Sequence, residues 1–291
     1  MRASTHFWMF FGIEINRLDI SNRFPERDTR FEYRLYNNTM KDEVRKQLID
    51  LNGVFYETFA GAFAATRRRI QPGVRQALEG IPKKGKWLDI GCGSGQLALE
   101  WARQKRKGVY HGLDFSAGLL AEAEKTLEGV ELPRGLKVRF GHADLTSPAW
   151  VEGLKKAGFD GALAFAVLHH IPGEEQRVEL LRQVRDQIKP GGSFIHSEWQ
   201  FQFSTKLMAR RMPWEFIGLT NEDVEPGDTL MDWRYALPGQ AEQVGYRYLH
   251  LFTRGELVEL AEQAGFEIAD EYESDGEGGR LGVYQKWIVA R

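Results

Sequence analysis

The chain has one cysteine, Cys92, among 291 residues. A single thiol makes neither an intramolecular disulfide nor a cysteine-based zinc cluster, so the sequence suits a reducing compartment and a cytoplasmic location is expected. Long apolar runs are missing too. No stretch reaches the roughly 18 consecutive apolar residues a membrane helix needs, so no membrane association is expected. Phe7-Trp8-Met9-Phe10-Phe11 is too short for the core of a signal peptide and is followed by Glu14, Arg17 and Asp19 instead of a small-residue cleavage site. Charge of one sign is also absent, with 39 Lys and Arg against 41 Asp and Glu and a formal net charge of -2. That excludes a protein held on nucleic acid by overall charge alone, and leaves local patches open. There is no internal repeat and no low-complexity tract. With 42% hydrophobic and 27% charged residues, the chain has ordinary globular composition and enough length for a large core.

Residues 1–39 stand apart: they hold six arginines, no lysine and no clean periodicity. They are expected to be a weakly ordered N-terminal extension, read from an upstream start codon. An extra N-terminal helix packed on the domain is the competing expectation. Residues 40–291 are expected to form the domain proper. Val44, Leu48, Leu51, Phe55 and Phe59 recur at helical spacing and predict helices over 43–60 and 66–79. Strand-like and helix-like segments then alternate. Strands are expected over 87–90, 109–114, 136–140, 159–166 and 193–199, with helices reaching 106 and over 116–128 and 174–188. Lys189-Pro190-Gly191-Gly192 is a strong helix stop. This alternation predicts an α/β, doubly wound, Rossmann-like sheet, mostly parallel, with helices on both faces. Residues 200–252 break the rhythm, since connections in such folds usually run about 2–6 residues. They are expected to be an inserted cap. A helix over 254–264 and a closing pair of strands, 266–272 and 283–290, complete the pattern.

Asp89-Ile90-Gly91-Cys92-Gly93-Ser94-Gly95 lies between the first strand and its helix, where glycines allow a tight turn and close approach to a ligand. A dinucleotide fingerprint would place glycine at position 96, where this chain has Gln96, and Asp89 would repel a pyrophosphate. A ligand with a cationic amine fits Asp89 better. Asp114 ends the second strand, where a carboxylate points at ribose hydroxyls, and Asp144 ends the third, where it can accept from an adenine amino group. Helix N-capping is the alternative for each acid alone. Three acids at three successive strand ends favour a nucleoside site in the crevice of an open sheet.

WLDIGCGSGQLAL, GLDFS, GHADL and AVLHHIP…LRQVRDQIKPGGSFI resemble the class I S-adenosylmethionine-dependent methyltransferases over about residues 41–291. The resemblance implies a seven-stranded sheet whose last strand is antiparallel. It also implies S-adenosyl-L-methionine as cofactor, held by Asp89 and the Gly91, Gly93 and Gly95 backbone, with Asp114 on the ribose, Asp144 and Leu145 on the adenine, and Ala166 at the end of the fourth strand. Phe63-Ala64-Ala65-Thr66-Arg67, Ala166-Val167-Leu168-His169-His170, Trp199, Asp228-Thr229-Leu230-Met231-Asp232-Trp233 and Tyr246-Arg247-Tyr248-Leu249-His250 further resemble the tRNA wobble-uridine carboxymethyl methyltransferases. Those enzymes esterify a 5-carboxymethyl group on uridine at the first anticodon position. The narrower resemblance implies that Arg67, His169, Trp199 and Arg247 line the catalytic pocket, that tRNA or a modified nucleoside is the substrate, and that a small zinc-binding activator subunit is a partner. No metal is expected on the chain itself, because His169 and His170 have no further ligand at suitable spacing.

The chemistry asks little of an enzyme beyond alignment, since a sulfonium methyl is already activated. A carboxylate nucleophile is ionised at neutral pH and needs holding, a task for the arginine fork, with Trp199 or Trp233 to stack the base. An amine or hydroxyl nucleophile would instead make His169 or His170 the candidate base. Two other functions remain open at this point: a small-molecule O- or N-methyltransferase, and a cofactor-binding partner subunit without transferase activity. Near-neutral charge leaves tRNA binding to a local patch such as Arg67–Arg69, or to a basic partner. Trp214 and Trp233 are expected to build a small core within the insert.

Overall fold

Val44, Leu48, Phe55 and Phe59 are buried along one face of α1 (Asp42–Thr66) in the computed structural model, which describes residues 40–154, 158–236 and 241–290. The expected N-terminal extension, 1–39, lies outside the described residues. Helix α1 does not stop at 60; it continues through Gly61 to Thr66. The next helix starts six residues later than position 66, as α2 (Pro72–Glu79), because Pro72 lacks the N–H that a helix interior needs and is suited to its first turn.

The alternating segment folds into β1 (Lys84–Ile90), α3 (Gln96–Arg103), β2 (Lys107–Asp114), α4 (Ala117–Leu127), β3 (Leu136–His142), β4 (Phe159–Phe165), α5 (Glu174–Gln187) and β5 (Ile188–Trp199). With β9 (Phe266–Ser274) and β10 (Gly282–Val289) these strands make a seven-stranded sheet in the order β3-β2-β1-β4-β5-β10-β9. Only β10 runs antiparallel to its neighbours, the arrangement the resemblance implied. Strand order reverses between β1 and β4, which opens a crevice at the carboxyl ends of the strands. Strand β5 begins earlier than expected. The Lys189-Pro190-Gly191-Gly192 stop is absorbed into an irregular strand start, with Ile188 already paired to Phe159.

Both sheet faces are covered. Trp87, Leu163, Ile195 and Tyr284 pack on one face against Leu78 of α2 and Trp101 of α3. Leu88, Ala162, Phe194 and Trp287 pack on the other against Leu181 of α5 and Leu257 and Leu260 of α7 (Arg254–Ala264). Helix α3 ends at Arg103, short of the expected 106, and Arg106 is not a helix-end surface charge. It is 1% exposed, lies 4.5 Å over the Trp101 ring and donates to the carbonyls of Leu78, Ile81 and Pro82.

The insert contains the short helix α6 (Thr205–Met208) and an antiparallel sheet of β6 (Arg211–Met212), β7 (Asp228–Tyr235) and β8 (Gln243–His250). Trp214 and Trp233 do not form a private core for it. Trp214 joins Met40, Val44 and Leu48, and Trp233 sits 5.7 Å from the Phe55 ring and 5.2 Å from Phe59, so both tryptophans dock the insert on α1. Glu225, Asp228 and His250 lie close together, and each is engaged by the protein itself. Arg177 donates to Glu225 at 2.7 Å, and Tyr248 and His250 both contact Asp228 at 2.7 Å. Burial and the Arg177 charge work against a protonated His250, but hydrogen bonds to Asp228 and Glu256 outweigh them and raise its pKa. No helix among the described residues is long and apolar enough to cross a membrane.

Candidate active site

The glycine loop turns at the carboxyl end of β1. Gly91, Gly93 and Gly95 have φ of +68°, +53° and +72°, in the left-handed region that strains any other residue. Their surroundings differ. A Cβ on Gly91 would strike Val167 and one on Gly95 would strike Ala123, whereas one on Gly93 would enter open space. The loop thus packs down at both ends and leaves a cradle at its middle. Asp114, at the end of β2, fixes that middle: its Oδ2 accepts the Gly93 N–H at 2.8 Å and its Oδ1 the Ser116 N–H at 3.0 Å. Beneath the loop, Asp89 is 3% exposed and accepts from the Tyr110 hydroxyl. Burial pushes the Asp89 carboxyl up to about 7, against the opposing effect of that hydrogen bond.

The third acid is placed differently. Ala143 donates to the Asp114 carbonyl at 2.9 Å, which brings the end of β3 alongside, and Leu145 is buried. Asp144 itself is exposed and closes a local turn, accepting from the N–H and hydroxyl of Thr146 at 2.9 and 2.6 Å. It caps no helix, since the short 3-10 helix that follows, Pro148–Val151, is capped by Ser147. Ala166, just past β4, is a non-glycine residue at φ +60°, a conformation costing about 1–2 kcal/mol. Its N–H is tied to the Ser197 carbonyl at 2.9 Å.

Arg67, His169, Trp199 and Arg247 come from four separate segments and meet around one indole. The Arg67 and Arg247 guanidinium carbons lie 5.3 and 5.1 Å from the Trp199 ring centroid, and the His169 ring stacks on it at 6.0 Å with an interplanar angle of 22°. Phe63 underlies Arg67 at 5.0 Å and Phe55 underlies Arg247 at 5.4 Å. Such stacking holds a cation without neutralising it. Arg247 is 3% exposed and its Nε makes no hydrogen bond. Burial and the neighbouring Arg247 charge lower the Arg67 pKa. Among the described residues neither guanidinium is paired with an acid. Two like charges over one ring, Arg247 buried and Arg67 half-buried, are suited to holding an anion. Arg67 thus faces inward, leaving Arg68 and Arg69 to the surface. Trp233, the other candidate for stacking a base, is used in packing on α1.

Three residues without a sequence motif of their own hold this cluster. Tyr56 on α1 donates to His170 Nε2 at 2.7 Å, and His170 Nδ1 donates to the Tyr248 carbonyl at 3.3 Å. Burial pushes His170 down to about 3, so it stays neutral in this relay. Asn52 joins the same elements, donating to the carbonyls of His170 and Tyr248 at 3.2 Å and accepting the Tyr248 N–H at 2.8 Å. Glu198, wholly buried on β5, receives the His169 N–H at 3.1 Å, lies 2.9 Å from His169 Nδ1 and 3.2 Å from His196 Nδ1. Burial drives all three side chains toward their uncharged forms. Strand periodicity is an available signal for this group, since His196 and Glu198 are two residues apart on β5 and share a face.

Known proteins bear on this geometry in two ways. Over 236 residues the chain is 27% identical to a tRNA (carboxymethyluridine(34)-5-O)-methyltransferase from Schizosaccharomyces pombe, covering 76% of this chain and 90% of that one. Among solved structures it resembles a SAM-dependent methyltransferase from Methanosarcina mazei, with a TM-score of 0.57, 24% identity and coverage of 76% and 98%. A glycopeptide N-methyltransferase solved with S-adenosyl-L-homocysteine shares the fold at a TM-score of 0.50 and 17% identity, with coverage of 74% and 87%. The class I methyltransferase fold implies S-adenosylmethionine as cofactor. A family model described as a methyltransferase domain matches residues 63–271, most of the chain, and the chain belongs to that methyltransferase family.

Proposed function

We propose that this enzyme transfers a methyl group from S-adenosylmethionine to the carboxylate of a 5-carboxymethyl-type uridine in the tRNA anticodon, forming a methyl ester. The observation that carries this reading is the pair of guanidinia on Trp199, Arg67 and Arg247, neither paired with an acid among the described residues. Similarity to a wobble-uridine enzyme over most of both chains supports it. The reducing compartment suggested by a lone, buried Cys92 suits a cytoplasmic tRNA enzyme.

The residues of the crevice fit the cofactor. The open space at Gly93 leaves room for a ligand against the loop backbone, Asp114 beside it would take the ribose, and Asp89 would offer a carboxylate to a cationic group. Bound there, S-adenosylmethionine would supply an activated methyl, and a carboxylate oxygen would take it as the carbon–sulfur bond breaks, with no proton to move. Arg67 and Arg247 hold the two acceptor oxygens, Trp199 offers its ring to the base, and His169, kept neutral by burial and by the cations around it, adds no competing charge.

Because burial holds Asp89 near 7, cofactor binding should favour its ionised form and release a proton. Affinity is expected to weaken as pH falls below about 7, by at most roughly tenfold per unit. Calorimetry in buffers of different ionisation enthalpy would read the proton release, and Asp89→Asn should abolish it. A pH-independent affinity in the unaltered enzyme would remove Asp89 from the cation's contacts. The substrate is tested by nucleoside mass spectrometry of tRNA from cells lacking the gene, where any activator partner is retained. The methyl ester at the wobble uridine should disappear and the free acid accumulate; unchanged nucleosides would redirect the search to a metabolite carboxylate.

A further inference from the structure

Four basic residues from the starts of β1 and β2 and the end of α3, together with Arg134 before β3, converge at the end of the sheet opposite the crevice. Lys84, Arg103, Lys105, Lys107 and Arg134 line an open groove of about 1010 Å³, with Glu131 as its single lining acid and Leu132 and Pro133 as an apolar strip. All five cations are exposed, and among the described residues none is paired with an acid.

Three features argue against ordinary scattered surface charge. Lys84 and Lys107 are direct partners in the β1–β2 register, so two like charges stand side by side on neighbouring strands. The strands are pinched together there, for a Cβ on Gly108 would come within 2.0 Å of the Gly85 carbonyl. Lys105 is held at φ +53°, a left-handed conformation that glycine or asparagine takes more cheaply. Between Lys105 and Lys107, the buried Arg106 is tied to the carbonyls of Leu78, Ile81 and Pro82, so the turn is anchored and projects its two flanking lysines outward. The groove is thus preorganised, basic and without internal neutralisation, while the nine acids after residue 250 lie in another part of the chain.

We infer that this groove binds the sugar–phosphate backbone of the RNA substrate, away from the reacting base. The inference rests on the tRNA reading above and adds a second contact region to it. Strand β2 spans the two regions: the seven steps from Lys107 to Asp114, at about 3.3 Å each, put roughly 23 Å between them. A nucleotide seated in the crevice cannot touch the groove by itself, so the groove engages the tRNA body and not the anticodon loop.

The test uses the full chain with Lys84, Lys105 and Lys107 all changed to glutamine, exposed positions whose neutralisation leaves the core untouched. Binding of labelled total tRNA is followed against salt, and methyl transfer is compared on intact tRNA and on an isolated anticodon stem–loop. The variant should lose tenfold or more in tRNA affinity at low salt, and its salt slope should fall by about two to three, close to one for each phosphate no longer neutralised. KM should rise for intact tRNA and stay unchanged for the stem–loop. Equal affinity and slope in variant and parent would overturn the inference, as would a parent that binds no RNA. A parent that binds tRNA through the groove yet methylates no tRNA nucleoside would uphold the groove and refute the proposed substrate.

Discussion

Replacing Arg247 or Arg67 with alanine should all but abolish methyl transfer while leaving cofactor affinity within about twofold to threefold of the parent. Truncating one partner of a buried, hydrogen-bonded charge pair costs about 2–5 kcal/mol, or roughly 30-fold to several thousand-fold in kcat/KM. Both arginines lie over Trp199, and no acid pairs with them among the described residues, so under the proposed function the acceptor carboxylate would be their partner. A lysine at either site keeps the charge and loses the fork, and should recover only part of the rate. The fold should tolerate these changes. The Arg247 charge works against that of Arg67, so alanine at either site forfeits a stacking interaction worth about 0.5–2 kcal/mol and relieves repulsion in return. Calorimetry with S-adenosylmethionine beside transfer assays decides the matter. A variant that weakens cofactor binding as much as it weakens transfer would show that the arginines do not hold the acceptor.

Glu198 presents the second large effect, which one substitution should bring out and another should spare. Burial favours the uncharged acid, which can accept from His169 on one oxygen and donate to His196 from the other. Glutamine reproduces that pattern, with its carbonyl toward His169 and its amide N–H₂ toward His196. Glu198→Gln should therefore fold and turn over nearly as the parent does. Glu198→Ala strands the His169 N–H and imidazole donors in a buried cavity. At about 1–3 kcal/mol per orphaned donor plus the cavity, it should lose roughly 3–5 kcal/mol in denaturant unfolding. With His169 no longer held flat on Trp199, the transfer rate should fall as well. Should glutamine prove as damaging as alanine, Glu198 must carry its charge and serve as counter-ion to the arginines.

The sheet is readable from the sequence because its signals are local. Period-two apolar runs, glycines at turns and the stop after Gln187 each lie within a few residues of what they specify. Sequence and structure part where a distant partner decides. Helix α1 runs on to Thr66 because its later turns are covered by α4 and the insert, with Gly118 of α4 against Ala60. Trp214 and Trp233 look like a core for the insert because the sequence does not show that α1 faces them. At the site, Arg67, His169, Trp199 and Arg247 are reached through resemblance to a family, and the structure gathers them around one ring. Tyr56 and Asn52 carry no motif. Their partners, His170 and Tyr248, are 114 to 196 residues away, beyond any periodicity argument. Asp144 shows the converse limit, since an acid at a strand end looks alike whether it faces a ligand or closes its own turn.

Helix α1 gives the two halves of the reaction a common wall. On one side it leans on α4, next to the Asp114 corner; on the other it leans on β8, which carries Arg247. Along the same helix stand Asn52 and Tyr56, and Arg67 follows directly after its end. A rigid rod with two bearings cannot tilt at one without moving at the other. Filling either side restricts the rod, and the work of restricting it is then not required a second time. Under the proposed function donor and acceptor affinities should then be linked, and calorimetry with each ligand in the presence of the other should return the same factor both ways.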